Sequence, residues 1–393
     1  MKNDDIVSNM IHRILKDPKL SFFLLGPRGT GKSSWLRATF PKAHWIDLLS
    51  EEAYQQLLAQ PGLFANELRV LPPGKTVIVD EIQRLPNLLN EVHRFIEERK
   101  LRFILCGSSA RKLKRAGVNL LAGRVLRRFM HPFIPAELGN RFNLDQALQF
   151  GLLPIVWDSP QKTETLTAYT QLYLKEEIQA EALTRNLPGF SRFLPVAALF
   201  HGQTINVTNI AREAGVARTT VTGFLQILED TLLCFRIPAY EAKLRVRERK
   251  LPKWYWCDPG LVRAMKRATG RVAIEERGAL FEGMVAQLLR ASMDYFDLGE
   301  ALYYWAPSSK AETEVDFLLV KGEKIIAIEA KSGKSFSESW CKGLRAVAPL
   351  KGLQRRIVVY PAGPSLQTED GIEILSFTRF AEQLSSNETW SQK

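Results

Sequence analysis

The stretch that decides the N-terminal fold is Gly26-Pro27-Arg28-Gly29-Thr30-Gly31-Lys32-Ser33-Ser34. It follows the apolar run 21–25, which predicts a buried strand, and it has the G-x-x-x-x-G-K-S spacing of a P-loop. Glycines here let backbone N–H groups turn toward phosphates without a Cβ in the way. We therefore expect residues 26–34 to bind ATP, with Lys32 at the β- and γ-phosphates and the Ser33 hydroxyl as a Mg²⁺ ligand. The alternative is a glycine-rich turn without a ligand.

A second apolar run, residues 75–79, ends in the two carboxylates Asp80 and Glu81. A buried strand that ends in two acids is typical of the Walker B motif. Asp80 is expected to bind Mg²⁺ through its hydration shell, and Glu81 to polarise the attacking water. The alternative is that the two acids only cap a helix that begins near Pro86.

The next apolar run, residues 101–107, ends at Ser108 and Ser109. Its place beside the Walker B strand resembles the position where AAA-type ATPases carry a polar sensor of the γ-phosphate, and this implies that role for Ser108. Further along, Arg124 is our candidate for an arginine finger, which in a ring of subunits would neutralise charge at the neighbour's nucleotide. An arginine that faces solvent or DNA remains the alternative.

These runs predict an α/β domain with a Rossmann-like parallel sheet. The expected strands are residues 21–25, 45–48, 76–80 and 102–106, and a last strand at 128–134 closes the sheet. Helices are expected between them.

Length and composition limit the class of protein. A chain of 393 residues is too long for one core and suggests several domains, which we expect at 1–140, 141–265 and 266–393. No run approaches the ~20 apolar residues of a membrane span, and the first residues lack the apolar core of a signal peptide. The four cysteines never form C-x-x-C, which argues against a zinc site. We expect a cytoplasmic protein without membrane contact.

The net charge of +12 is unevenly distributed along the chain. Residues 1–140 carry +9 and residues 141–270 carry +5, whereas residues 271–393 carry −2. A positive excess confined to the first two segments fits a polyanionic partner such as the DNA backbone, although the phosphates of a nucleotide account for part of it.

The middle segment contains a helix-turn-helix pattern. Residues 207–216 followed by 217–225 read as helix, tight glycine turn at Gly215 and helix, with apolar residues at helical spacing, and the runs 232–238 and 254–257 are candidates for a wing. If the second helix reads DNA, the side chains that face the groove are Arg218, Thr219, Thr222 and Gln226. The cations expected to contact phosphates are Lys243, Arg245, Arg247, Arg249, Lys250 and Lys253. The alternative is a winged helix used only for packing.

The C-terminal segment combines acids and a lysine in a specific order. Glu282 lies in a helical stretch, Asp316 in a first strand, and Glu329 and Lys331 in a second strand. If the two strands form a hairpin, Asp316 lies beside Glu329, and Lys331 shares the face of Glu329. Two carboxylates can hold a divalent cation, and a lysine beside them can support an attacking water. The alternative is an ordinary polar strand face.

Together these segments resemble the prokaryotic ATP-binding proteins that join an AAA-type domain to a C-terminal domain of unknown function with a restriction-endonuclease-like fold. The matching segments are 26–33, 77–81, 106–109, 121–124, 251–255, 258–261, 281–282, 314–317 and 328–331. The resemblance implies a P-loop AAA-type ATPase domain, a helical and winged helix-turn-helix domain, and a C-terminal α/β domain with a PD-(D/E)XK nuclease-like fold. It implies Glu282, Asp316, Glu329 and Lys331 as the nuclease-type site.

These observations predict an AAA-type ATPase that hydrolyses ATP with Mg²⁺ and acts on duplex or branched DNA. Two interpretations remain open. In the first, a homo-oligomer, for which a hexameric ring is one form, moves along or remodels DNA, and the C-terminal domain recognises or cuts it. In the second, the nucleotide acts as a conformational switch in a regulatory or defence module, and an inactive nuclease-like domain binds partners.

Overall fold

The computed structural model describes residues 11–109, 123–172, 178, 186–242, 249–307, 313–386 and 388–390. These described residues form a mixed α/β structure with three sheets, of five, six and three strands. The mixed α/β class predicted from the sequence is confirmed. Within these described residues, no helix is both long and apolar enough to span a membrane.

The N-terminal sheet is entirely parallel, with the strand order β2-β3-β4-β1-β5. Its strands are β1 (Phe22–Leu25), β2 (His44–Asp47), β3 (Thr76–Asp80), β4 (Arg102–Gly107) and β5 (Leu126–Phe129). Alternate residues of β1 enter different cores, since Phe22 packs in one hydrophobic cluster and Phe23 in another. A strand buried on both faces explains its uninterrupted apolar sequence.

The fifth strand differs from the sequence prediction of 128–134, because β5 ends at Phe129. Met130 still donates its N–H to Leu25 O (2.7 Å), but the chain then turns away at Pro132, which has no N–H to donate. Phe133 donates instead to Leu152 O (2.8 Å) in the middle segment. The apolar residues 130–134 are therefore buried by helices rather than by the sheet.

Helices cover both faces of this sheet. They are α1 (Lys32–Thr39), α2 (Glu51–Ala59), α3 (Gly62–Arg69), α4 (Leu89–Arg99) and α5 (Pro135–Leu138). The helix expected near Pro86 begins as a short 3₁₀ turn, Pro86–Leu88, before α4. Glu81 precedes an earlier 3₁₀ turn, Ile82–Arg84, and its side chain makes no capping hydrogen bond there, because its carboxylate contacts other groups.

The middle segment is largely helical and carries a small sheet. Its helices are α6 (Leu144–Phe150), α7 (Pro154–Trp157), α8 (Lys162–Leu172), α9 (Leu187–Leu199), α10 (Val207–Ala214), α11 (Arg218–Asp230) and α12 (Pro259–Met265). Its strands β6 (Gln203–Thr204), β7 (Cys234–Ile237) and β8 (Lys253–Trp256) form an antiparallel sheet of order β6-β8-β7. Between β7 and β8 the structure describes residues 238–242 and 249–252.

The C-terminal segment begins with the long helix α13 (Ile274–Phe296) and continues into a mixed sheet. The strands are β9 (Ala301–Trp305), β10 (Val315–Lys321), β11 (Lys324–Ala330), β12 (Leu353–Tyr360), β13 (Leu366–Gln367) and β14 (Glu373–Ser376), with helices α14 (Lys342–Ala346) and α15 (Phe377–Ser385). Strands β9, β10 and β11 are antiparallel neighbours, whereas β12 pairs in parallel with β11 after α14.

The described residues of the connection between β7 and β8 join the edge of this C-terminal sheet through their backbone. Tyr240 N–H donates to Tyr304 O (2.7 Å), and Tyr304 N–H donates to Pro238 O (3.0 Å). On the return side, Arg249 N–H donates to Ala306 O (2.9 Å). Because an unpaired edge strand attracts other chains, these bonds also protect β9. Both described ends of the connection between β7 and β8 are thus anchored to the C-terminal segment.

Candidate functional site

The P-loop joins β1 to α1, and its glycines adopt backbone conformations that other residues rarely take. Gly29 and Gly31 have φ values of 79° and 81°, and a Cβ at Gly29 would lie 2.8 Å from a side-chain carbon of Ile155. The buried Lys32 ammonium donates to Gly26 O (2.8 Å) and to Pro27 O (3.0 Å). The loop therefore curls around the lysine that the sequence assigns to phosphate binding.

Three consecutive carbonyls of the P-loop accept hydrogen bonds from outside the loop. Tyr169 Oη on α8 donates to Arg28 O (3.1 Å), and Ile155 N–H on α7 donates to Gly29 O (3.3 Å). The Arg13 guanidinium donates to Thr30 O (2.6 Å). Sequence analysis did not single out Tyr169, Ile155 or Arg13. The middle segment and the residues before β1 thus hold the loop in shape.

The acids of the second motif lie two strands away from β1, at the end of β3. Asp80 is buried, and its Oδ1 accepts the N–H of Glu81 (3.1 Å). Glu81 itself has a φ of 55°, a left-handed conformation that is uncommon for a residue with a side chain. Non-glycine residues in this region often occur at functional sites. The strained turn aims the Glu81 carboxylate back toward β4.

Ser108 and Gln83 both contact that carboxylate. Ser108 Oγ, just beyond β4, donates to Glu81 Oε2 (3.3 Å). The Gln83 amide donates to Glu81 Oε2 and also to Ser108 Oγ (3.2 Å). Because β4 lies between β1 and β3, Ser108 is placed between the P-loop and the acids. Gln83 was not predicted as part of this group, because its contacts depend on how β3 and β4 pair.

The residues assigned to Mg²⁺ have the right chemistry for it. Ser33 is half-buried in the first turn of α1, and Asp80 is buried at the end of β3. A hydroxyl and a carboxylate are hard oxygen donors of the kind that Mg²⁺ prefers. The donor set therefore fits a Mg²⁺ ion held together with nucleotide phosphates.

Arg124 lies at the surface just before β5. Its guanidinium forms an ion pair with Glu97 of α4, and both side chains are nearly half exposed. An exposed pair of this kind contributes little to stability, so the arginine is available for another partner. Leu121 and Ala122 of the same motif lie outside the described residues.

The second helix of the helix-turn-helix presents its polar side chains to solvent. Arg218, Thr219, Thr222 and Gln226 are all exposed on α11, while Val221 and Phe224 of the same helix are buried. Gly215, with a φ of 63°, ends α10 and makes the tight turn. The face that the sequence assigns to DNA is therefore accessible.

The basic residues of the wing divide into three groups. Arg245, Arg247 and Lys243 lie outside the described residues. Arg249 and Lys250 are exposed and lie 3.8 Å from Glu314 and 3.7 Å from Glu241. Lys253, predicted to contact phosphate, is instead buried, so that prediction is wrong. Its place at the start of a run of three aromatic residues was the signal for burial.

The four residues predicted as a nuclease-type site come together in the C-terminal segment. Asp316 and Glu329 lie opposite each other on β10 and β11, where Asp316 N–H donates to Glu329 Oε2 (3.3 Å) and Ala330 N–H donates to Asp316 Oδ2 (2.9 Å). Lys331 Nζ lies 2.6 Å from Glu329 Oε1. Glu282 reaches the group from α13. We call Glu282, Glu314, Asp316 and Glu329 the carboxylate cluster.

The ammonium of Lys253 lies inside this carboxylate cluster. It is 2.9 Å from Glu282 Oε1 and 3.3 Å from Asp316 Oδ1, and it also pairs with Glu314. Tyr255 Oη, on the same face of β8, donates to Glu282 Oε1 (2.6 Å). None of Lys253, Tyr255 or Glu314 was predicted as part of this group.

The electrostatics of the cluster reflect burial together with crowding of like charges. Burial, and next the Asp316 carboxylate, raise the pKa of Glu282 to about 7 and raise that of Glu329 well above its ordinary value. Burial alone would lower the pKa of Lys253, but Glu282 and its neighbours raise it well above the usual lysine value. Lys253 therefore stays charged and compensates the carboxylates.

Three family models match successive parts of this chain. Residues 19–139 match an AAA domain, and this supports an AAA-type ATPase domain at the N-terminus. Residues 141–271 match a domain of unknown function, DUF8612, and residues 277–380 match another, DUF4143.

Similar proteins and structures were also found. Two uncharacterized proteins, Mb2031c of Mycobacterium bovis and Rv2008c of Mycobacterium tuberculosis, are each 27% identical over 86% of this chain and 76% of their own length. The Aeropyrum pernix ORC1 protein in complex with DNA is 14% identical, with a TM-score of 0.27 over 65% of this chain and 87% of that one. The ADP form of ORC2 from the same organism is 12% identical, with a TM-score of 0.31 over 64% and 88%.

Proposed function

We propose that this chain is a Mg²⁺-dependent ATP hydrolase that uses nucleotide binding and hydrolysis to control a DNA-binding winged helix. The observation that carries the proposal is that three adjacent strands, β1, β3 and β4, lead directly into the P-loop, Glu81 and Ser108, and that the Ser108 hydroxyl donates to the Glu81 carboxylate. The match of residues 19–139 to an AAA domain supports it independently.

Each residue has a role that its position supports. Residues 26–34 surround the phosphates, and Lys32 reaches the β- and γ-phosphates. Ser33 and Asp80 hold Mg²⁺, which neutralises charge on the phosphates. Glu81 orients and polarises the attacking water, and Ser108 positions Glu81 through the hydrogen bond between their side chains. The products are ADP and phosphate.

Contacts between the P-loop and the middle segment support the link from nucleotide to DNA. Tyr169 and Ile155 donate hydrogen bonds to carbonyls of the P-loop itself. A change in the shape of the loop on hydrolysis therefore alters the hydrogen bonds that connect it to α8 and α7. The exposed polar face of α11 and the cations of the wing form the surface proposed for duplex or branched DNA. ATP and DNA are both available in the cytoplasm, where we propose that the protein acts.

The experiment that tests the proposal is phosphate release from ATP, measured without DNA and with single-stranded, duplex and junction DNA. Strong stimulation by one DNA form supports an oligomeric motor or remodeller. If no DNA form changes the rate of hydrolysis, and the protein still binds DNA, the switch interpretation is supported. Absence of hydrolysis in wild type under all conditions would contradict the proposal.

We predict that neutralising the wing cations weakens DNA binding to all sequences alike. The variant replaces Arg245, Arg247, Arg249 and Lys250 together by Gln. Phosphate contacts carry no sequence information, and each contributes about 0.9 to the slope of log K against log salt, so the slope should fall by up to about 3.6. Fluorescence anisotropy over a salt series measures it.

The matched control for this variant removes four exposed lysines from the C-terminal segment. These are Lys324, Lys334, Lys342 and Lys351. Both variants lose the same charge, so a general electrostatic effect would change both slopes equally. Equal slopes for wild type and the wing variant would show that the wing does not touch DNA.

We predict that Arg124 acts on the nucleotide of a neighbouring subunit. Arg124→Ala protein should bind ATP normally but hydrolyse it poorly, and an excess of Lys32→Ala subunits should restore activity, because each supplies an intact Arg124 to a competent site. Glu97→Gln, which releases Arg124 from its ion pair, is the control and should retain hydrolysis. Failure of rescue in mixtures that still assemble would place Arg124 outside the active site.

The switch interpretation has one specific observation in its favour. The nuclease-like reading of the C-terminal segment is supported by the order of helix, three antiparallel strands, helix and parallel strand, and by the convergence of Glu282, Asp316, Glu329 and Lys331. However, the Lys253 ammonium lies where these acids meet. This favours a C-terminal domain that binds rather than cuts.

A further inference from the structure

The carboxylate cluster does not fit the divalent metal ion that a nuclease-like site implies. A Mg²⁺ ion needs several oxygens at about 2.1 Å from one point. Here Glu282 Oε1, Glu314 Oε1 and Asp316 Oδ1 all face the same ammonium, that of Lys253. Within the residues that the structure describes, no group of three or more His, Cys, Asp or Glu side chains is arranged to hold a metal.

Several oxygens of the cluster have further partners. Glu282 Oε1 also accepts the Tyr255 hydroxyl, and Asp316 Oδ2 accepts the N–H of Ala330. Both oxygens of Glu329 are engaged, Oε1 by Lys331 and Oε2 by the N–H of Asp316. A metal ion would have to displace several of these buried donors at once, and a buried donor left without a partner is unfavourable.

Lys253 is held where it is by the strand that carries it. It begins β8, the central strand of its sheet, and pairs with Ile237 on one side and Thr204 on the other. The next three residues, Trp254, Tyr255 and Trp256, are fully buried. The ammonium also lies 5.5 Å from the centre of the Tyr304 ring. Withdrawing the lysine would require dismantling an aromatic core.

We propose that Lys253 is the built-in cation of the carboxylate cluster and takes the place of a divalent metal ion. The C-terminal segment of this chain therefore binds no catalytic Mg²⁺ and does not cut DNA. The cluster instead fixes the winged segment to the C-terminal segment, because Lys253 and Tyr255 come from β8 while Glu282 and Asp316 come from α13 and β10. This inference is independent of the ATPase proposal.

Removing the charge of Lys253 should change the capacity of the carboxylate cluster to bind a metal ion. Replacing Lys253 by Met retains most of the side chain's length but removes its charge, and leaves Glu282, Glu314 and Asp316 facing one another. Like charges this close are unfavourable, and a divalent cation relieves the repulsion. A Lys253→Met variant should therefore acquire a metal site that the natural chain does not have.

The test counts bound Mn²⁺ by the loss of the free-ion EPR signal, on full-length protein without nucleotide. Wild type and Asp316→Asn should bind the same number of ions, because Asp316 holds no metal in either. Lys253→Met should bind one ion more than wild type, and Lys253→Met/Asp316→Asn should lose that ion. Lys253→Arg, which keeps a cation, should behave as wild type.

Several outcomes would overturn the inference. One is a Mn²⁺ ion bound by wild type and lost in Asp316→Asn, and this comparison needs no change at Lys253, so it holds even if the Lys253 variants fail to fold. Another is a folded Lys253→Met protein, with wild-type circular dichroism, that gains no ion. The third is Mn²⁺-dependent cleavage of linear, nicked or branched DNA by wild type that disappears in Asp316→Asn.

Discussion

Replacement of Glu81 by Gln should leave ATP bound and slow its hydrolysis by at least about 100-fold, the lower end of what a positioned general base contributes. The amide keeps the size of the side chain and can still accept the Ser108 hydroxyl, so the geometry at the end of β4 is retained. Only the charge that polarises the attacking water is lost. This single substitution therefore separates the binding of ATP from its hydrolysis.

The measurement combines nucleotide binding, by fluorescence of a labelled ATP analogue, with steady-state phosphate release. Lys32→Ala is the opposite case and should lose binding, because the ammonium enclosed by the loop carbonyls is its phosphate contact. Glu52→Gln, a change of the same kind on the exposed face of α2, should alter neither quantity. Wild-type turnover in Glu81→Gln would exclude Glu81 as the water-activating group.

The parts of this fold that the sequence predicts well are those encoded locally. The P-loop, the strand that ends in Asp80 and the turn at Gly215 are each defined by a few adjacent residues, because glycine conformation and strand burial depend on the immediate chain. The strands β3 and β4 were predicted, but the contacts of Gln83 with Glu81 and Ser108 depend on how these two strands pair. A polar side chain two residues after an acid has no distinctive pattern of its own.

Only part of the carboxylate cluster could be predicted from the sequence. The hairpin that brings Asp316 opposite Glu329 follows from strand alternation, which is a property of a short segment. Lys253 lies more than sixty positions earlier, in a run of cations that resembles an exposed basic wing. Only the docking of β8 against α13 reveals that this one lysine is buried with acids, while its neighbours Arg249 and Lys250 remain exposed.

Arg13 is the second residue whose replacement should have a large effect. It is buried before β1, and its guanidinium contacts Glu137 (2.8 Å), Thr30 O (2.6 Å), His131 O (2.7 Å) and the Tyr295 hydroxyl (3.1 Å). These groups belong to α5, the P-loop, the segment after β5 and α13. One side chain therefore joins the nucleotide site to the long C-terminal helix.

Arg13→Ala should lower the free energy of unfolding by about 3–5 kcal/mol, because it leaves the buried Glu137 carboxylate without its counter-charge. It should also weaken ATP binding, since Thr30 loses the donor that holds its carbonyl. Tyr295→Phe removes only a hydroxyl, and should cost about 1–3 kcal/mol. Urea unfolding followed by tryptophan fluorescence, with nucleotide titration alongside, measures both effects.

A double-mutant cycle with Glu137→Gln tests the physical reason for this loss. In wild type, Glu137→Gln should be destabilising, because it breaks the ion pair and weakens the bonds that Glu137 accepts from the N–H groups of Ile14 and Ile134 (both 3.1 Å). In the Arg13→Ala background the same change should be stabilising, since it removes an uncompensated buried charge. This reversal of sign is the signature of a buried ion pair. If Glu137→Gln destabilises both backgrounds equally, Arg13 holds the P-loop through its backbone contacts alone, and the charge of Glu137 has no part in it.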